Sequence, residues 1–239
     1  MRYILHPFDS LASTQQEAKR GIDQNHYDSG HMILAKQQTD GYGRRGNTWH
    51  SPLGNFYASF IVDDKGNDTL NWLGFVVGLA LYDILLPYCL SQDVLKLKWP
   101  NDVMLNGKKL AGMLIERHHS YFIIGMGINV TVAPEATQPT THLSGAPPLP
   151  QDLARCFFKA FEVYYSLACT SGLSAIKPLW LDRCIHRLDE GIQARLPCGE
   201  IVIGMFIDLA PDGALMVQTN HKTHRIHAAE IFLGTQNNG

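Results

Sequence analysis

Paired cysteines, a membrane-length apolar run, an excess of either charge and a histidine cluster are all missing from this 239-residue sequence. The five cysteines, Cys89, Cys156, Cys169, Cys184 and Cys198, are odd in number and scattered, with no Cys-x-x-Cys pair of the kind zinc or redox chemistry uses. They read as buried thiols of a reducing, cytoplasmic compartment. The most apolar run, Trp72 to Tyr82, is bounded by Asn71 and Asp83 and falls short of the roughly 20 residues that cross a bilayer, so it reads as a core helix and no membrane is expected. Met1-Arg2 leads into no apolar secretory segment. A net charge of -2, from 20 Lys+Arg against 22 Asp+Glu, offers no general attraction to nucleic acid, so any anion site has to be local. His221, His224 and His227 lie in a strand-like region, where three-residue spacing sends successive side chains to opposite faces; they read as solvated, and no metal ligands are expected. There are no internal repeats.

What is present is a core and one unusual loop. Hydrophobic residues make up 45% of the chain, ample for a sizeable core. In Gln38 to Phe60, QTDGYGRRGNTWHSPLGNFYASF, Gly41, Gly43 and Gly46 free the backbone for close approach to a ligand, while Arg44 and Arg45 add cationic forks. Such a loop is suited to an anion, although a mobile surface loop is the commoner fate of a short Gly/Arg stretch. Phe56 to Val62 then reads as a buried strand.

Arg2 to Phe8 reads as a first strand. Thr14 and Glu17 have capping-box spacing before a helix, whose N-terminus would offer hydroxyls and free N–H groups. A second strand, His31 to Lys36, delivers the chain to the glycine loop. Residues 66–69 supply turn and cap residues for a helix from Leu70 to Leu86, apolar most of the way round. Leu95 and Leu97 alternate with Lys96 and Lys98, and Asn106-Gly107 marks a hairpin into Lys109 to Ile115. Regular alternation puts Lys109 on the face of Ala111, Met113 and Ile115, where an ammonium either snorkels outward or pairs with an anion. Ser120 to Val130 is a strand interrupted by Gly125 and Gly127, with Asn129 just beyond, able to read a base edge. Pro134 to Pro150 reads as a surface loop. Pro150 to about Ala168 forms a helix with an aromatic stripe, Ser174 to His186 another. From Leu188, short runs at Ile192 to Leu196, Glu200 to Leu209, Ala214 to Thr219 and Thr223 to Phe232 suggest a small antiparallel barrel. The expected division is 1–187 and 188–239, with a disordered tail from Gly234.

Taken together, Ser13-Thr14, GYGRRGNTWHSP (Gly41 to Pro52), KWPND (Lys98 to Asp102), KLAG (Lys109 to Gly112) and GMGIN (Gly125 to Asn129) resemble, in order and over nearly the whole chain, the biotin protein ligases. The resemblance implies a mixed α/β (α+β) catalytic domain similar to class II aminoacyl-tRNA synthetases with a small C-terminal SH3-like barrel. It leaves no room in this chain for the N-terminal DNA-binding domain that many members carry. It implies activation of biotin by ATP, with Mg²⁺ as counter-ion, to biotinyl-5'-AMP, then transfer to a lysine of the biotin carboxyl carrier protein of acetyl-CoA carboxylase. Lys109, Arg44 and Asp102 would be catalytic. Biotin would be held by Ser13, Thr14, Gln38, Gly41, Tyr42, Arg44, Lys109, Gly112 and Gly125, with Gly112, Gly125 and Gly127 keeping the pocket floor thin. ATP and the adenylate would meet Arg44, Arg45, Trp49, Lys98, Asn101, Lys109, Gly127 and Asn129. Tyr42 departs from the family's usual Gly-Arg-Gly-Arg loop and removes one cation. A lipoate- or octanoyl-type acyltransferase and a non-catalytic biotin sensor are the alternatives; no nucleic-acid partner is expected, and the chain would be a monomer or weak homodimer.

Overall fold

A computed structural model describes residues 2–66 and 69–233. The expected cap residues Asn67-Asp68 and the tail from Gly234 lie outside the described residues.

Two sheets organise the chain. The larger joins β1 (Ile4–Leu11), β2 (His31–Gln38), β3 (Phe56–Asp63), β4 (Leu95–Lys98), β5 (Asp102–Leu105), β6 (Lys108–His118) and β7 (Tyr121–Ile128) in the order β1-β2-β3-β7-β6-β5-β4. Only β1 and β2 run parallel. They need a crossover, and α1 (Thr14–Asp23) supplies it. The first strand starts two residues later than the sequence suggests, because Ile4 is where the ladder with His31 begins.

Period-two alternation divides this sheet into two apolar faces. Phe56, Ala58, Phe60 and Val62 of β3 and Phe122, Ile124, Met126 and Ile128 of β7 join the large core under α2 (Thr69–Leu85) and α3 (Pro150–Ser171). The aromatic stripe of α3 is core, with Phe161 edge-on to Phe60 at 5.2 Å. The helical stretch Asn71–Tyr88, α2 with the turn that follows it, is by length and composition able to span a bilayer, longer than the apolar run read from the sequence, yet its residues from Trp72 to Leu85 are mostly buried in this core, as a core helix requires. On the opposite face Ile33, Ile61 and Ile123 form a smaller cluster with Ala18 and Ile22 of α1, flanked by partly buried Phe8, Leu11, Tyr27 and Tyr121. Beyond the N-terminus of α1 lie the glycines Gly112, Gly125 and Gly127, and the cavity described below opens there.

The N-cap of α1 is Ser13, whose Oγ accepts from the backbone N–H of Gln15 and Gln16, and not Thr14. Capping-box spacing identifies two positions equally well, and the hydroxyl that turned toward the helix was the earlier one. Thr14 Oγ1 is used elsewhere.

α4 (Leu173–Arg183) ends three residues before His186, because Cys184 and Ile185 leave the helix to pair with Leu97 of β4. Of the five cysteines expected to be buried only Cys184 is; Cys156 and Cys169 lie off the buried stripe of α3 and, like Cys198, are exposed. The second sheet follows, in the order β11-β10-β9-β8-β12: β8 (Glu190–Arg195), β9 (Ile201–Leu209), β10 (Leu215–Gln218), β11 (Thr223–Ile226) and β12 (Glu230–Leu233). The single last strand expected from Thr223 to Phe232 is two strands, broken at residues 227–229. These are the two edges of the sheet. Flat, five strands would hold the edges about 19 Å apart, more than the short link can span at roughly 3.5 Å per residue. The sheet therefore curls into a barrel. Its core is continuous with that of the first sheet, and Trp99 Nε1 donates to Gly213 O at 3.2 Å across the join.

His186 lies at this join, 5% exposed, with neither ring nitrogen hydrogen-bonded and Glu190 Oε2 3.8 Å from Nδ1. Burial, and then the nearby Lys98, push its pKa down to about 4 from 6.5, against the weaker pull of Glu190. Between those values the unfolded chain binds a proton that the folded chain refuses. Stability is thus complete above pH 6.5 and falls as pH drops toward 4, by up to about 3 kcal/mol. Urea unfolding at pH 7.5 and pH 5 should show this loss, and His186→Phe should flatten it; an unchanged pH slope in the variant would assign the loss to other groups.

Candidate active site

The polar lining starts at α1. Ser13, Thr14, Gln15 and Ser59 are each at most 4% exposed, so their polar atoms have to be satisfied inside the protein. Gln38 Oε1 accepts from Thr14 N at 2.8 Å and from Thr14 Oγ1 at 3.1 Å. Ser59 Oγ lies 2.9 Å from Thr14 Oγ1 and 2.8 Å from Gln15 Oε1, and Gln15 Nε2 donates to Ile123 O at 3.1 Å. Gln38 Nε2 donates to Ser51 Oγ at 3.0 Å. The result is a fixed set of donors and acceptors at a helix N-terminus. Sequence reasoning missed Gln15 and Ser59. Ser59 was the findable one, being the lone polar residue inside an otherwise apolar strand.

The glycine loop closes on itself through Gly43 N to Asn47 O and Trp49 N to Gly41 O, each 2.8 Å, with Tyr42 opposite Thr48. Gly41 is needed for space, since a Cβ there would stand 2.6 Å from Trp49 O. The turn at its tip uses left-handed Arg45 (φ 58°) and Gly46 (φ 72°), which leaves Arg45 exposed.

Tyr42 turns away from the loop. Its hydroxyl donates to Glu116 Oε2 at 3.0 Å, and Lys19 Nζ reaches the same Oε2 at 3.0 Å and the Tyr42 oxygen at 3.3 Å. Burial works against the Glu116 carboxylate, but hydrogen bonds involving Lys19, Gln15 and Tyr42 outweigh it and hold its pKa below the usual value. The missing loop cation is thus replaced by a tether to α1 and β6.

A bulge decides where Lys109 points. Val103 of β5 faces Ala111, but Met104 faces Lys109, so β6 carries one extra residue at Leu110. This flips Lys109 from the Ala111 and Met113 face expected from alternation to the face of Gly112, where its Nζ would stand 3.2 Å from an added Cβ. There the ammonium meets Asp102 Oδ1 at 2.7 Å, each side chain 14% exposed, in a coulombic contact without hydrogen-bond angles. Of the two options left open for this lysine, pairing is what the fold selects.

The pocket floor at Gly112 and Gly127, expected to be thin for a ligand, is filled by Trp49. A Cβ at either residue would meet the indole, and at Gly125 one would meet the Gln15 amide. Lys109 Nζ lies 5.4 Å above the indole, whose buried Nε1 has no partner. Arg44 donates to Asn101 Oδ1 at 3.2 Å, and Asn101 Nδ2 donates to Met113 O at 2.8 Å. Asn129 Nδ2 is committed to Thr141 O at 3.0 Å. That leaves less of its amide for a base edge than the sequence suggested.

These elements enclose a cavity of about 860 Å³, lined by every candidate site residue except Gly41, which is buried at the base of the loop among Gln38, Trp49 and Ser51. The volume lies inside the range of about 300–1,000 Å³ usual for small-molecule sites. Arg44, Arg45, Lys98, Lys109 and, from the barrel, Arg195 all line it. Burial, then the neighbouring Arg45, lowers the Arg44 pKa; burial also lowers that of Lys98. Desolvated cations held together in this way favour an anion. Lys98 and Arg195 also flank the half-exposed Phe232 of β12, at 5.8 and 5.3 Å.

Residues 8–131 match the biotin/lipoate A/B protein ligase family, and residues 188–234 match the biotin protein ligase C terminal domain. The chain is 34% identical over 219 residues to a biotin--[acetyl-CoA-carboxylase] ligase of Paracoccus denitrificans, covering 84% of this chain and 90% of that protein. It is 30% identical over 245 residues to the bifunctional ligase/repressor BirA of Bacillus subtilis, covering 95% and 73%. Its fold is that of the Aquifex aeolicus biotin protein ligase solved with biotin and ATP, with a TM-score of 0.83 at 23% identity over 96% of this chain and 99% of that one. A polar cradle beside a cation-lined cavity, a C-terminal barrel and relatives of this kind lead to one conclusion: the chain belongs to the biotin/lipoate A/B protein ligase family, as a biotin protein ligase.

Proposed function

We propose a division of labour among the pocket residues for the activity of this ligase, which activates biotin with ATP to biotinyl-5'-AMP and transfers biotin to a lysine of biotin carboxyl carrier protein. The observation that carries it is the convergence of Arg44, Lys98 and Lys109 on the cavity that also holds the Thr14-Gln38-Ser59 network. The network presents donors and an acceptor to the ureido ring. The biotin carboxylate then lies toward Lys109 and Arg44, where two cations offset its repulsion from the ATP phosphates as a carboxylate oxygen attacks the α-phosphorus and pyrophosphate leaves. Trp49 and Asn129 flank the adenylate, and Arg45 and Lys98 take the departing phosphates. Asn101 keeps Arg44 aimed.

Asp102 takes the second step. An anion arriving at Lys109 competes with it for the ammonium, and the released carboxylate can orient the carrier's amine as that amine attacks the anhydride carbonyl and AMP departs. Of the three carboxylates that line the cavity, Asp102, Glu135 and Glu230, Asp102 is the one beside Lys109. Since Lys109 holds it and Asn101 is engaged by Arg44, Mg²⁺ would enter mainly on the ATP phosphates, as is usual for this ion. The free thiols support a cytoplasmic location. We further propose a monomer or weak homodimer that uses no nucleic acid. Pyrophosphate release measured with biotin, and separately with lipoate, tests the reading: release with lipoate alone would overturn it, and biotin binding without release would leave a sensor.

The Tyr42 tether adds a kinetic expectation. Tyr42→Phe removes two hydrogen bonds to charged groups, the one given to Glu116 and the one taken from Lys19, each about 1.5–3 kcal/mol when intact and less in a loop still closed by its backbone. The KM for biotin should rise several-fold with kcat nearly unchanged, because the loop is loosened and no reacting group is lost. Steady-state kinetics measure both; a fall in kcat at constant KM would place the hydroxyl in the chemistry.

A further inference from the structure

Away from the cavity, on the same sheet face, α1 ends at Asp23 beside the turn between β6 and β7. His118 Nε2 lies 2.7 Å and His119 Nε2 2.9 Å from the same Asp23 Oδ1. The three ligand atoms fall within 4.8 Å of one another. We propose that Asp23, His118 and His119 form a binding site for a late first-row divalent cation, Ni²⁺, Co²⁺ or Zn²⁺, that clamps the C-terminal end of α1 to the β6–β7 turn.

The local geometry supports this. Adjacent strand residues point to opposite faces, so two successive histidines would normally diverge. Here His119 takes a left-handed φ of 53°, which brings its ring back to 4.4 Å from that of His118. Two ligands held cis on a metal at about 2.0–2.1 Å stand about 2.9 Å apart, close to the separations between Asp23 and each imidazole. Two imidazoles and one carboxylate, without a thiolate, suit late first-row cations better than Mg²⁺ or Ca²⁺. Exposure of Asp23 and His119 gives an ion access and leaves its other positions to water.

The site joins the two elements that build the active cavity. Ser13 and Thr14 open α1, whose ten residues span roughly 15 Å to Asp23. Lys109 and Gly112 stand near the other end of the strand that finishes at His118. A bound cation would therefore brace the frame of the cavity without entering it.

Calorimetric titration of the untagged full chain with Ni²⁺ tests the proposal. One saturable site per chain is expected, weakened at least about tenfold by His118→Ala and by His119→Asn. Asparagine tolerates the left-handed backbone at 119, so the turn survives while the imidazole is lost. Co²⁺ spectra separate this site from exposed Cys156, Cys169 and Cys198, whose thiolates would add an intense charge-transfer band. Biotin-dependent pyrophosphate release by His119→Asn should match the parent, showing an intact fold. No saturable binding, an isotherm unchanged in both variants, or a thiolate band on the tight site would each overturn the proposal.

Discussion

Lys109→Ala should lower biotin-dependent pyrophosphate release by about 10²–10³-fold, the loss expected when a preorganised charge is removed from a developing anion. The residue makes two contacts on the ligand face, one with Asp102 at 2.7 Å and one over the Trp49 ring at 5.4 Å. Truncation removes both, yet the fold should survive. Asp102 remains in the field of Arg44 and Lys98, so its carboxylate is not left as an uncompensated buried charge. Pyrophosphate release and a melting curve on the same sample separate the possibilities. Near-normal release would reduce Lys109 to a structural partner of Asp102, and collapse of the melting transition would make it a stability residue.

Gly127→Ala should be nearly as damaging, for a steric reason. Gly127 and Gly112 face each other across β7 and β6, and the Trp49 indole fills the space both leave. A methyl group at 127 has to displace the ring, and Lys109 above it blocks the way out. Overpacking of this kind costs about 1–3 kcal/mol of stability. Misplacing a positioning group by about 1 Å can cost about 10²-fold in rate. Trp49→Phe in the same chain makes room, so Gly127→Ala/Trp49→Phe should be no worse than Trp49→Phe alone. Additive losses in that double-mutant cycle would show that the indole and the glycine do not share the space.

Much was legible in the residue order because its signals are local. The aromatic and β-branched run from Phe56 to Val62, the left-handed Asn106-Gly107 turn of the β5–β6 hairpin and the aromatic stripe of α3 depend on near neighbours, and each element formed within a few residues of its expected limits. The five motif blocks also identified the family, and the candidate residues they named line one cavity, apart from Gly41, buried at the base of its loop. What the sequence could not determine depended on partners far along the chain. The extra residue at Leu110 is visible only against β5, and it alone moved Lys109 to the ligand face. Tyr42 is an absent cation in the sequence and a tether in the fold, because Glu116 stands 74 residues away. His118 and His119 should diverge as strand neighbours, and Asp23, 95 residues from His118, gives them a common partner. Period and propensity fix which face a residue takes within its own element, whereas bulges, turns and ion pairs are settled by what another element brings to that face.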